Sequence, residues 1–254
     1  MSYSALIGNL VDNADGSGGG LQVRDSHGYL DNVLVHDNEV GDSAFGGGLR
    51  VTPETWEPTL LVATNVRISG NRAKGGGGLS VYACDAELYN VIIIENTADP
   101  GWGGGVILTD GTLTMSQVAI TSNQASAHGG GIHMDEGALD AHNSVISDNL
   151  ASGWGGGVFG GGWAGSSATF DHCASWGNLP DNYDGVTDPT GDDGNVTFDP
   201  SFIDVVWPNE TEWDLHLQAG SPLIDAGDPT VLDPDGSPSD IGPYGGPGAV
   251  GWDL

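Results

Sequence analysis

The sequence predicts an all-β fold, a three-sided parallel β-helix of about seven to eight turns with a loop-rich C-terminal cap. Three observations predict it. A phrase of three glycines recurs at nearly constant spacing, a phrase ending in asparagine recurs in the same register, and each repeat holds three pairs of alternating apolar residues. A fixed period of this length is typical of solenoids, in which stacked repeats bury a continuous core.

Three consecutive glycines followed by an aliphatic residue occur six times along the chain. The phrases begin at Gly18, Gly46, Gly76, Gly103, Gly129 and Gly155. The steps between them are 28, 30, 27, 26 and 26 residues. Glycine permits positive φ and close approach of backbones, so these phrases predict one corner of the solenoid.

An asparagine that follows an aliphatic residue at a spacing of three predicts a second corner. The column comprises Asn38, Asn71, Asn96, Asn123 and Asn149. Stacked amides can bond each other and the backbone along the axis, which favours a structural ladder over a binding role. A further polar column, which predicts another bend, comprises Asn32, Asn65, Asn90, Gln117 and Asn143.

Between the corners, apolar residues alternate at a spacing of two, which puts each pair on one face of a strand. In one repeat these pairs are Leu49/Val51, Leu61/Ala63 and Val66/Ile68. We therefore expect three short strands per turn, with each turn pairing with the next at ~4.8 Å.

The period divides the chain into three parts. Residues 1–180 carry the repeats, residues 181–198 form an acidic loop, and residues 199–254 are expected to supply the final turns and the cap. The cap would cover the open edge of the last turn.

The composition excludes some partners. Thirty-five acidic residues and five basic ones give a formal charge of -30, which repels nucleic acid. No apolar run approaches the ~20 residues of a membrane helix, so we expect no direct membrane insertion. Cys84 and Cys173 lie more than three repeats apart, too far for a disulfide.

The paired glycine and asparagine phrases resemble the right-handed parallel β-helix repeats of bacterial surface proteins. They are similar to the repeats of polymorphic outer-membrane proteins, which are autotransporter adhesins. The resemblance covers roughly residues 3–180, and the sequence shows no autotransporter barrel. It implies a right-handed helix in an extracellular or cell-surface protein, of which this chain would be a mature or excised part.

The C-terminal region resembles the aspartate-rich tail common to many secreted β-helix proteins. The similarity begins at Asp199-Pro200-Ser201-Phe202 and continues through Ser221–Gly227 to Asp240–Gly246.

Large rings precede the glycine phrases in successive repeats and predict a platform for sugar rings. Trp102, His128 and Trp154 fall at one corner on consecutive turns, and Trp163 in the following glycine-rich insertion would extend the surface. The alternative is that these rings stack on each other and brace the corner.

Two acidic loops are candidate sites for a structural Ca²⁺ ion. Asp233, Asp235 and Asp240 lie in one loop, which begins with the Asp-x-Asp-Gly spacing of a calcium loop. The bidentate glutamate of an EF-hand is missing. Asp184, Asp188 and Asp192 form a second candidate. In so acidic a chain, the alternative is that both segments are ordinary turns.

We expect a structural or adhesive extracellular module that binds a glycan or another cell-surface ligand. A polysaccharide lyase or glycoside hydrolase is the first alternative, but the outward column Arg50, Ser80, Ile107, His133 and Phe159 holds no acid pair, and we assign no catalytic residue. His133, His142 and His172 come from adjacent turns but from different strands, so we expect solvated side chains.

A self-assembling fibre subunit is the second alternative. An uncapped N-terminal turn would leave strand edges free to pair end to end.

Overall fold

A computed structural model describes residues 4–12, 18–41, 43–55, 57–162, 165–204 and 213–249. These residues form a parallel β-helix with three parallel sheets, here called A, B and C, which confirms the predicted fold class. Sheet B has six strands and sheet C has seven, which corresponds to about six turns. The described residues include no helix long and apolar enough to cross a membrane.

The strands of each sheet come from successive turns. Sheet A contains Ser4–Ile7, His27–His36, Leu60–Ser69, Asp85–Ile94, Thr112–Thr121, Ala138–His142, Val145–Ser147, Ser167–Asp171 and Ala174–Trp176. Sheet B contains Leu10–Val11, Glu39–Val40, Arg72–Gly75, Thr97–Trp102, Gln124–Ala125 and Leu150–Ala151. Sheet C contains Leu21–Arg24, Leu49–Thr52, Leu79–Tyr82, Val106–Thr109, Ile132–Asp135, Val158–Gly161 and Tyr183–Asp184.

The strands divide each turn differently from the sequence-based expectation. The second and third apolar pairs share one ten-residue strand, as in Leu60–Ser69. That strand bends at Asn65, whose φ is +53°, and the next turn bends at Asn90 with φ +52°. Pairing between the two turns continues on both sides of this bend, so the left-handed residue turns the chain without ending the strand. The short strands of sheet B follow the asparagine corner.

The interior is filled by stacked aliphatic side chains with no solvent exposure. Val81, Leu108 and Met134 from sheet C face Leu88 and Ile93 from sheet A, all in one cluster. Cys84 and Cys173 are free and buried. Repetition of the same columns in each turn is what lets a 26.0 kDa chain bury a long, narrow core.

The asparagine column forms a buried hydrogen-bonded ladder. Nδ2 of Asn38 donates to Oδ1 of Asn71 at 2.9 Å, and Nδ2 of Asn71 donates to Oδ1 of Asn96 at 2.9 Å. The pattern continues through Asn123 and Asn149 to Asn178. The backbone N–H of each ladder residue donates to the same neighbouring oxygen, so each amide ties two turns together.

The end of the solenoid is completed by the acidic loop. Tyr183–Asp184 is the last strand of sheet C, and Val196 pairs with Ala174 beside sheet A. Residues 181–197 therefore supply a partial turn, whereas the sequence predicts a loop in residues 181–198 and the final turns in residues 199–254.

The C-terminal segment lies along the outer face of sheet A. Phe202–Asp204 and Asp214–Leu217 form an antiparallel pair. Trp213, Leu215, Leu223 and Ile241 pack in a second cluster against outward residues of sheet A, Ile92, Ile94, Ala119, Val145 and Ala174. Asn90 donates to the carbonyl oxygens of Pro243 and Gly245, which links the segment to a turn in the middle of the solenoid. The segment covers the side of the solenoid across several turns.

Candidate functional site

Three columns of side chains run along the outside of sheet C. The central column is set by strand register and comprises Gln22, Arg50, Ser80, Ile107, His133, Phe159 and Asp184. Stacking at ~4.8 Å per turn places Arg50 and Phe159 about 19 Å apart along the axis.

A corner column lies on one side and a polar column on the other. The corner column comprises Phe45, Gly75, Trp102, His128 and Trp154, whose carbonyl oxygens accept hydrogen bonds from the glycine phrases of the preceding turns. The polar column includes Tyr82, Thr109 and Asp135, which are paired in register.

These columns enclose a groove of about 540 Å³. Its floor is buried, with Ser80, Ile107 and His133 only 3%, 6% and 9% exposed. Phe45, Trp102 and Phe159 are the other rings among its lining residues, together with Tyr82. Between Phe45 and Trp102 the corner residue is Gly75, where a Cβ would lie 2.9 Å from the Phe45 ring. The Phe45 ring therefore occupies the space that a side chain at position 75 would need.

The predicted ring platform is divided by the structure. Trp102 lines the groove. His128 and Trp154 stack on each other with ring centres 4.8 Å apart and planes 4° apart, and His128 also stacks on Phe159 at 4.9 Å. The Trp154 backbone N–H donates to Nδ1 of His128, so the proton of the neutral ring sits on Nε2. Trp154 remains 57% exposed at the edge of this stack. Trp163 lies outside the described residues.

His133 is a neutral ring in the groove floor. Burial, together with the nearby His128, lowers the pKa of His133 to about 4. Its ring stacks on Phe159 at 5.2 Å, and its Nδ1 has no hydrogen-bond partner among the described residues. The expectation that this histidine is solvated is wrong, because the outward face of sheet C is covered by neighbouring rings.

The other two histidines contact carboxylates near the surface. His142 lies 3.2 Å from Asp140, and Nδ1 of His172 lies 2.6 Å from Asp171. His133 lies on sheet C and His142 on sheet A, and the three histidines form no shared metal site among the described residues.

Two cations stand at the Phe45 end of the groove. The Arg50 guanidinium lies 5.6 Å from the centre of the Phe45 ring. Nζ of Lys74 lies 5.6 Å from the Phe45 ring centre and 5.8 Å from that of Trp102. Partial burial, with repulsion from Arg24, lowers the pKa of Arg50, which nevertheless stays protonated.

The candidate calcium loop uses its carboxylates as acceptors for backbone N–H groups. Asp233 accepts from Asp240 and Gly246, and Asp235 accepts from the N–H and the hydroxyl of Ser237. Asp240 accepts from the N–H of Asp225 at 2.8 Å. Burial is the largest effect that raises the pKa of Asp233 and of Asp240. Repulsion from neighbouring carboxylates also raises both pKa values.

The second acidic candidate is dispersed. Asp184 belongs to the last strand of sheet C, whereas Asp188 accepts from the N–H of Thr190 in a turn. Asp192 lies in another turn, where its N–H donates to the carbonyl of Pro189. Among the residues that the structure describes, no three His, Cys, Asp or Glu side chains are placed to share a metal ion.

Sequence reasoning placed Arg50, Ser80, His133 and Phe159 on the outward face without assigning them a site. Phe45 and Tyr82 also line the groove. The available signal was the strand register itself, because residues in equivalent positions of successive repeats become neighbours.

A family model described as a right-handed β-helix region matches residues 2–176. No curated protein matches the chain, and no solved structure does.

Proposed function

The chain belongs to the right-handed β-helix family, and we propose that it is an extracellular structural or adhesive module that binds carbohydrate in the groove on sheet C. The observation that carries this proposal is the row of rings, Phe45, Trp102, His133 and Phe159, along one concave surface. Ligand sites typically combine such apolar and aromatic walls with a few polar groups.

The rings are suited to the flat apolar faces of sugars. Aromatic side chains offer large apolar areas at low conformational cost, and their faces attract weakly positive C–H groups. Sugar hydroxyls need hydrogen-bond partners at the sides, and Tyr82, Thr109 and Asp135 lie there. A polymer aligned with the solenoid axis would meet a new ring or polar group at each turn.

The solenoid also holds the groove in a fixed shape. Every glycine phrase is hydrogen-bonded to the next turn, and the asparagine ladder lies at a neighbouring corner. Binding to a preformed surface costs less conformational entropy than ordering a loop.

Binding is favoured over glycoside hydrolysis. Hydrolysis uses two carboxyl groups flanking the scissile bond. Among the described residues that line the groove, Asp135 is the single carboxylate.

A glycan array followed by calorimetry tests the proposal. Trp102→Ala should weaken binding of the best array ligand about tenfold, because it removes a ring from the groove wall. Trp154→Ala should have a smaller effect, since Trp154 stacks on His128 beside the groove.

The matched control is Trp176→Ala. Trp176 is 41% exposed and lies on sheet A. Equal losses for Trp102→Ala and Trp176→Ala, or an array without any ligand, would refute the groove as a carbohydrate site.

Self-assembly is the second candidate function. Ser4–Ile7, Leu10–Val11 and Leu21–Arg24 are the outermost strands of their sheets in the described part of the chain. Ile7 and Leu10 are 53% and 66% exposed there. If these edges pair with a second copy, light scattering will rise with protein concentration, and Leu10→Lys will suppress that rise. A concentration-independent monomer would exclude this function.

A further inference from the structure

We propose that the Phe45 end of the groove is a subsite for the acidic group, a carboxylate or a sulfate, of an otherwise neutral oligosaccharide. This inference rests on the proposed carbohydrate-binding function. It names the chemical class of the ligand and the residues that would select it, Arg50 and Lys74.

The chain has five basic residues against 35 acidic ones, so a base without an acidic partner is unusual. Arg24 pairs with Glu54 at 2.9 Å, and Arg72 lies between Glu39 and Asp99 at 3.7 and 3.3 Å. Arg67 is buried and donates to a carbonyl of the C-terminal segment.

Arg50 and Lys74 differ from the other three. Within the described residues neither makes an ion pair, and both lie 5.6 Å from the same ring, Phe45. A ring face attracts a cation through its quadrupole but does not neutralise it. The two positive charges are thus held in place while remaining available to an anion.

The surroundings of Arg50 strengthen this attraction. Its guanidinium is partly buried, and its Nε is buried without a hydrogen-bond partner. Charge interactions are stronger at partly desolvated positions than in bulk water. Arg24 repels Arg50, and an anion bound beside Arg50 would offset that repulsion.

The rest of the groove favours a ligand whose single acidic group lies at the Phe45 end. The next floor residues, Ser80, Ile107 and the neutral His133, carry no charge, and Asp135 lies among the lining residues towards the other end. The formal charge of -30 further opposes a polyanion. A neutral chain with one acidic sugar fits both constraints.

The experiment uses the full chain and an array of matched trios, each with a neutral oligosaccharide, its carboxylated form and its sulfated form. Lactose, 3′-sialyllactose and 3′-sulfolactose make one such trio. We expect an acidic member to bind about tenfold more tightly than its neutral backbone, in line with a charge-assisted contact. The carboxylated and sulfated arms distinguish the two sources of negative charge.

Three variants then test the residues. Arg50→Gln and Lys74→Gln should each remove most of the preference for the acidic member, measured as the ratio of its affinity to that of the neutral member. Arg72→Gln removes a neighbouring base that already has acidic partners, so it should leave the preference intact.

Each outcome decides between the two proposals. Equal binding of neutral and acidic members, or equal effects of Arg50→Gln and Arg72→Gln, would overturn the acidic subsite and leave the carbohydrate groove standing. An array without any bound oligosaccharide would overturn both.

Discussion

Asn96→Ala perturbs the middle of the asparagine ladder and should destabilise the whole solenoid. The Asn96 side chain is 0% exposed. Its Nδ2 donates to the carbonyl oxygens of Ile68 and Ile94 and to Oδ1 of Asn123. Its Oδ1 accepts from both the backbone N–H and the Nδ2 of Asn71. Alanine satisfies none of these groups.

The expected loss is about 3–5 kcal/mol in the free energy of unfolding. A net hydrogen bond contributes about 1 kcal/mol, and a buried group left unsatisfied costs about 1–3 kcal/mol. A partial shift of Asn71 and Asn123 towards each other would satisfy some of these groups. The total loss should therefore be smaller than the sum of the individual penalties.

The measurement is urea denaturation monitored by circular dichroism. The denaturation midpoints are compared between variants whose unfolding free energy depends equally steeply on urea concentration. Asn9→Ala is the control within the same column. Asn9 is exposed at the end of the ladder, and its side chain makes a single amide contact, to Asn38 at 2.7 Å. This variant should lose about 1 kcal/mol or less. Equal midpoints for the two variants would refute the claim that the ladder stabilises the stack.

The remaining predictions concern the C-terminal segment. Trp213→Ala empties a buried position against sheet A, which typically costs about 3–5 kcal/mol, so limited proteolysis should cut the segment faster while the repeats stay intact. Burial raises the pKa of Asp240, so its folded form binds protons more tightly than its unfolded form. Its contribution to stability should therefore fall as pH rises from the ordinary value of 3.8 through the folded-state pKa, and Asp240→Asn should flatten this part of the pH profile of the thermal midpoint. Because no three His, Cys, Asp or Glu side chains among the described residues are placed to share a metal ion, we expect superimposable melts in calcium and in chelator. A calcium-selective rise, lost in Asp235→Asn, would instead support the metal site inferred from sequence.

The sequence alone determined the solenoid. The spacing of the glycine phrases and of Asn38, Asn71 and the later asparagines follows from a physical requirement, because stacked turns need the same residue type at the same corner. Such a period is local and repeated, so it is visible without coordinates. The bends at Asn65 and Asn90 were also visible, although not the continuity of the strand through them.

The position of the C-terminal segment was decided by tertiary structure. Val91-Ile92-Ile93-Ile94 is a run of four aliphatic residues, which indicates a strand buried on both faces. The sequence does not say what covers the outer face, because the covering residues, Trp213 and Ile241 among them, have no period and lie more than 100 positions away.

The groove likewise required the tertiary structure. Repeat register lined up Arg50, Ser80 and His133, but a concave surface depends on the sizes of side chains in adjacent columns. The spacing of the glycine phrases also aligns Phe45, Gly75 and Trp102 in one column, but only the packed structure places Arg50 and Lys74 beside the same ring. Periodicity determines which residues share a column, whereas the shape and charge of the surface depend on how neighbouring columns pack.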